Sequence, residues 1–139
     1  MRLYSYSTSP SSGEPVPKFS HITTIPTGHA KTVRAVAWPP SGTPLATASF
    51  DSNIGVWAQE DGDGEDEFDP AREWECMSLL EGHETECKSV AYSPAGNLLA
   101  SCSRDKTVWV WEGAFSARVC LSPRPVGASA RPMPVLRRC

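Results

Sequence analysis

The chain has 139 residues, a mass of 15.1 kDa and a net charge of −3, enough for one ordinary domain. With 40% hydrophobic and 21% charged residues, it matches neither a disordered chain nor a membrane protein, and no stretch approaches the roughly 18 apolar residues of a spanning helix. The acidic balance gives no general attraction to nucleic acid or to an anionic membrane surface. Met1-Arg2-Leu3-Tyr4-Ser5 lacks the apolar core of a secretory signal. Thirteen Pro and ten Gly imply many turns and favour β-structure. The expectation is a soluble, intracellular, β-rich chain.

In chain order, Met1–Tyr4 resembles the end of a strand, and Ser5–Lys18 is a Ser- and Pro-rich loop. Phe19–Ile25 supplies another strand and leads into Thr27-Gly28-His29. Val33–Trp38, Leu45–Ser49 and Ile54–Trp57 then form three short strands. Their turns are Pro40-Ser41-Gly42 and Phe50-Asp51-Ser52-Asn53. Nine of the sixteen acids lie between Glu60 and Glu75. Such a run repels itself and reads as a solvated loop. Trp74–Leu80 follows as a strand ending at Glu81-Gly82-His83, and Cys87–Tyr92, Leu98–Ser103 and Val108–Trp111 repeat the three-strand pattern. From Gly113 onward there are five Arg, four Pro, no acid and no evident period, so no fourth strand is expected there.

A shift of 54 residues lays His29–Trp57 on His83–Trp111 without a gap, with eleven of 29 positions identical. The identities fall on His, Pro, Gly, Ser, Asp and Trp besides a few aliphatics. Four antiparallel strands, opening at Gly-His and closing the third strand at Trp, describe a propeller blade. The usual period is about 40–45 residues, and the acidic insertion accounts for the excess.

These residues resemble the WD-repeat family. The fold expected is all-β, a partial propeller with an acidic loop and a tail that are disordered. Residues 1–25 would close a preceding blade, 26–80 form one repeat with an insertion at 58–73, and 81–112 a second, incomplete repeat. Residues 113–139 would be an Arg- and Pro-rich tail, the mark of a truncated or mistranslated end. The resemblance implies one buried tetrad per blade: His29, Ser49, Asp51 and Trp57, then His83, Ser103, Asp105 and Trp111.

Longer words, among them Thr32-Val33-Arg34-Ala35-Val36-Ala37-Trp38 and Ser101-Cys102-Ser103-Arg104-Asp105-Lys106-Thr107, are similar to the WD-repeat scaffold group of cytosolic iron–sulfur protein assembly. The acidic insertion is similar to that of its fungal members. Membership implies a platform in the cytoplasm and the nucleus that docks assembly factors and apoprotein targets and holds no cluster itself. A generic WD-repeat adaptor is the alternative. A hydrolase built on His, Ser and Asp is the remote one, and duplication of the trio argues against it. No nucleic-acid, membrane or small-molecule partner is implied. No catalytic, cofactor or metal site is expected either, since none of the five Cys forms a C-x-x-C pair. Cys87 and Cys102 read as small core residues. Phe50 and Arg104, at equivalent turn tips, are the candidate partner-binding residues.

Overall fold

The computed structural model describes residues 1–9, 16–59, 72–112, 116–121 and 136–137. Among these, strands and turns account for all the regular structure. Two compact units divide the chain: residues 1–27 with 59–75, and residues 28–58 with 76–139.

In the first unit, β1 (Arg2–Ser9) pairs antiparallel with β2 (Val16–Thr24), Ser9 lying opposite Val16. Both strands run through residues expected to be loop. Cross-strand aromatic contacts account for the difference, with Tyr6 against Phe19 at 5.5 Å and Tyr4 edge-on to His21 at 5.4 Å. The main chains of Met1 and Ile25 exchange two hydrogen bonds of 2.7 Å and close the hairpin.

The second unit holds the repeats. One sheet runs β11-β6-β5-β4-β3 and the other β10-β9-β8-β7. The first comprises β3 (Val33–Ala37), β4 (Leu45–Ser49), β5 (Ile54–Gln59), β6 (Trp74–Leu80) and the two-residue β11 (Leu136–Arg137). The second comprises β7 (Cys87–Tyr92), β8 (Leu98–Ser103), β9 (Val108–Glu112) and β10 (Ser116–Leu121). The last strand corrects the expectation of an unpatterned tail: β10 pairs antiparallel with β9 and completes four strands. The row of N–H and C=O groups on the outer edge of β9 is a template for a further strand. A six-residue alternation amid Arg and Pro was too short to show as a period. Residues 60–71, the centre of the acidic run, and residues 113–115, 122–135 and 138–139 lie outside the described residues.

The two hairpin turns use glycine as their sequences require. Gly42 and Gly96 adopt φ of 91° and 73°, and each donates its N–H back across the turn at 2.9 Å. Gly55 has a packing role in β5. A Cβ there would clash with the indole of Trp57, so only glycine lets that ring fold back over its own strand.

β4 is an interior strand of its sheet, between β5 and the edge strand β3, and all five of its residues are buried. β7 crosses β3 and β4. There Ala35, Ala37 and Tyr92 pack against Ala46, Ala48, Ile54, Cys87, Val90 and Leu99. Small side chains let the sheets approach, and full burial of each large aliphatic is worth about 1.5–3 kcal/mol. The Tyr92 hydroxyl donates to the Pro44 carbonyl at 2.8 Å, and the Cys87 thiol to the Ser52 carbonyl at 3.5 Å. Burial pushes the Tyr92 hydroxyl up to about 12. Burial, with the charges of Asp105, Cys102 and Asp51, pushes the Cys87 thiol up to about 12 as well, so it stays protonated and unreactive. Cys87 is fully buried, Cys102 half-buried, and both are free thiols. Cys76, isolated in sequence, is disulfide-bonded.

The alternate face of β3 leaves Val36 at 50% and Trp38 at 45% exposed. Such apolar surface on an edge strand drives association. The paired change Val36→Thr and Trp38→Arg is expected to raise the monomeric fraction of the chain in sedimentation velocity. An unchanged association constant would clear that face of responsibility.

Candidate functional site

In each repeat a chain of hydrogen bonds runs from a buried indole to a carboxylate. In the first, the Trp57 indole N–H donates to Thr47 Oγ1 at 2.8 Å, and that oxygen lies 2.8 Å from His29 Nε2. His29 Nδ1 lies 3.0 Å from Asp51 Oδ2. In the second, the Trp111 indole N–H donates to Ser101 Oγ at 2.9 Å, which lies 2.9 Å from His83 Nε2. His83 Nδ1 is 2.9 Å from Asp105 Oδ2. One assignment satisfies every group: the hydroxyl donates to Nε2 and the imidazole Nδ1–H donates to the carboxylate.

The hydroxyl therefore belongs to Thr47 and Ser101, and the expectation of Ser49 and Ser103 in that place is corrected. Side chains two apart share a strand face, so Thr47 and Ser49 are both directed the same way. Ser49 sits one step further along, at the turn, beyond reach of the indole. There Ser49 Oγ donates to the Lys31 carbonyl at 3.2 Å and accepts from Asp51 N–H at 3.2 Å. Ser103 repeats the pattern with the Thr85 carbonyl at 2.9 Å and Asp105 N–H at 3.2 Å. The signal was present, because a 54-residue shift also lays Thr47 on Ser101. The two hydroxyl residues differ in type, so identity between the repeats does not mark them.

The carboxylates hold the turns. Asp51 accepts from Ala30 N–H at 2.9 Å and Asn53 N–H at 3.1 Å. Asp105 accepts from Glu84 N–H at 3.0 Å, from Thr107 N–H at 2.8 Å and from the Thr107 hydroxyl. Burial alone would raise both carboxyls, but these bonds and the neighbouring imidazole outweigh it and leave both below the ordinary value. The second repeat carries one more layer. The Trp109 indole N–H donates to Thr107 Oγ1 at 3.1 Å, and its ring stacks on Trp111 at 5.6 Å.

An Asp–His–Ser arrangement invites comparison with a hydrolytic triad. Here Ser101 is 2% exposed and Thr47 0%, and each oxygen already accepts from an indole. Neither can meet a substrate. Among the described residues, no group of three or more His, Cys, Asp or Glu is placed to hold a metal ion.

The turn tips between second and third strands sit over these networks. Arg104 has 71% of its side chain exposed, with its Nη1 at 3.3 and 3.4 Å from the Glu86 carboxylate oxygens. Phe50 is the equivalent tip residue of the first repeat. It is half-buried, and the Lys88 ammonium lies 4.0 Å from its ring centroid, over one face.

The WD domain, G-beta repeat family model matches residues 19–58 and 74–112, and the chain belongs to the WD-repeat family. Three similar proteins share one name, "Probable cytosolic iron-sulfur protein assembly protein 1". That of Malassezia globosa is 59% identical over 96 residues, covering 63% of this chain and 25% of the relative. That of Mycosarcoma maydis is 50% identical over 115 residues, covering 69% and 25%. That of Cryptococcus neoformans var. neoformans serotype D is 46% identical over 142 aligned positions, covering 81% and 32%. The chain thus spans a quarter to a third of the length of these relatives.

Two outcomes are expected from the network. Ser101→Ala strands the Trp111 indole and one nitrogen of His83, each costing about 1–3 kcal/mol when buried without a partner. Ser103→Ala removes half-exposed bonds worth about 0.5–1.5 kcal/mol. Chemical denaturation should rank Ser101→Ala as the more damaging, and the opposite ranking would refute the assignment.

The second outcome concerns acid. Burial holds His83 below its ordinary 6.5, more than the Asp105 carboxylate raises it. Below that value the unfolded chain binds a proton that the folded chain refuses. The stability contributed by neutral His83 is complete above pH 6.5 and lost as pH falls toward the depressed value. The depressed carboxyls Asp51 and Asp105 contribute in full above 3.8 and lose their share only below it. Thermal melts should be level above neutrality and fall in two stages in acid. His83→Gln should abolish the upper stage.

Proposed function

We propose that this chain is part of a non-enzymatic platform for cytosolic iron–sulfur protein assembly. It docks assembly factors and apoprotein targets in the cytosol through the rim formed by its blade turns. The observation that carries the reading is 59% identity over 96 residues to the Malassezia globosa assembly protein. The geometry supports it: the polar groups of each network are turned inward and saturated, while the tips they fix carry Phe50 and Arg104. A rigid turn presenting an aromatic or a guanidinium suits a contact surface, since these residue types dominate binding energy at interfaces.

The test is replacement. Residues Gly28–Glu112 of this chain replace the matching segment of the Malassezia globosa relative, in a fungus depleted of its own copy. The chimera is expected to restore activity of a cytosolic iron–sulfur enzyme, and a stable but inactive chimera would defeat the reading. Arg104→Glu in the chimera should lower that activity severalfold while leaving the thermal melt in place.

A further inference from the structure

The short run Glu86-Cys87-Lys88 touches both candidate contact residues. Glu86 belongs to the same blade as Arg104. Its side chain holds the guanidinium at 3.3 Å, and its carbonyl accepts the Arg104 N–H at 3.0 Å. Two residues on, Lys88 reaches the other way, to the Phe50 ring of the preceding blade at 4.0 Å. Between them the Cys87 thiol donates to the Ser52 carbonyl in the same turn as Phe50. Burial works against ionised Glu86, yet the positive charges of Lys88 and Arg104 prevail and keep its carboxyl below the ordinary value. The repeat shows what is particular here. A 54-residue shift lays Thr32 on Glu86 and Arg34 on Lys88. Thr32 still accepts the Phe50 N–H through its carbonyl at 2.9 Å, but it carries no charge to hold a tip residue. The backbone frame is common to both blades, and the charged clamp belongs to the second.

Resting on the reading of the rim as a partner surface, we infer that Glu86 and Lys88 are positioning residues that set Arg104 and Phe50 as one two-blade contact unit. Lys88 covers one face of the Phe50 ring and so limits how the ring can turn. Glu86 engages one terminal nitrogen of Arg104 and leaves the rest of the guanidinium fork open. Neither clamp contributes much to folding, because exposed ion pairs and cation–π contacts are weak. Their effect is to restrict where two side chains can go.

The experiment uses the same chimera at limiting expression, with cytosolic iron–sulfur enzyme activity and thermal melting measured together. Lys88→Met keeps the stem and removes the charge. It should lower activity about two- to five-fold, the weight of an exposed cation–π contact, with the melt unchanged. Lys88→Arg should restore activity. Lys88→Met added to Phe50→Ala should cost nothing further, since the clamp acts only through the ring. Full activity with Lys88→Met, alongside loss with Phe50→Ala and Arg104→Glu, would overturn the clamp and leave the surface standing. A lowered melt, or a loss that adds to that of Phe50→Ala, would also overturn it. Full activity with both Phe50→Ala and Arg104→Glu would remove the surface itself and the clamp with it.

Discussion

The structure depends on a carboxylate that accepts more hydrogen bonds than its own turn can supply. Asp51 and Asp105 each take two main-chain N–H groups and an imidazole. One of those N–H groups comes from the residue after the histidine and the other from the far side of the turn. The carboxylate thereby ties the loop that opens a blade to the hairpin that closes its second strand. Behind it the imidazole, the hydroxyl and the indole pass hydrogen bonds in one direction, and the indole ends the series because it can only donate. Withdrawal of any member leaves a buried polar group without a partner, which is why so few residues can stand at these positions.

Around this shared frame the two repeats differ where difference does no harm to it. Gly55 lets the Trp57 ring lie back on β5, whereas the equivalent Trp109 fills that space and stacks on Trp111. Asn53 becomes Thr107, which brings a hydroxyl into the network. Phe50 becomes Arg104 at the tip. The last exchange leaves the buried hydrogen-bond network intact, so the tip residue can vary without disturbing it. Ser52 and Lys106 occupy the left-handed region at φ 80° and 66°, equivalent positions with unrelated side chains. The turn geometry is imposed by the carboxylate and not by local preference.

Contact between the two repeats rests on small side chains with a few specific bonds among them. Ala35, Ala37 and Cys87 bring β7 close to β3 and β4. The Tyr92 hydroxyl, held protonated by burial, fixes the docking through Pro44. Cys87 is here a packing residue with a weak donor, and burial keeps its thiol protonated.

The repeat, the strand order within each blade and three of four network members were legible in the sequence. Each rests on a residue type with few substitutes: glycine for a left-handed turn, tryptophan as a buried donor, histidine and aspartate as its distant acceptors. A spacing of 54 residues carried that information without any coordinates. The network hydroxyl was misplaced by two residues because a strand face presents alternate positions alike, and only the reach of the indole separates Thr47 from Ser49. The strand at Ser116–Leu121 was invisible for a different reason. Pairing there is dictated by the open edge of β9, a property of the folded sheet and not of the six residues that answer it. The burial of Phe50 under Lys88 was equally out of reach, since those residues are 38 positions apart and meet only because β7 packs across the preceding blade. Composition and spacing thus determined what each blade is made of. Tertiary packing decided which hydroxyl, which edge and which ring face each group would meet, because those choices turn on distances that a chain acquires only when its sheets are stacked.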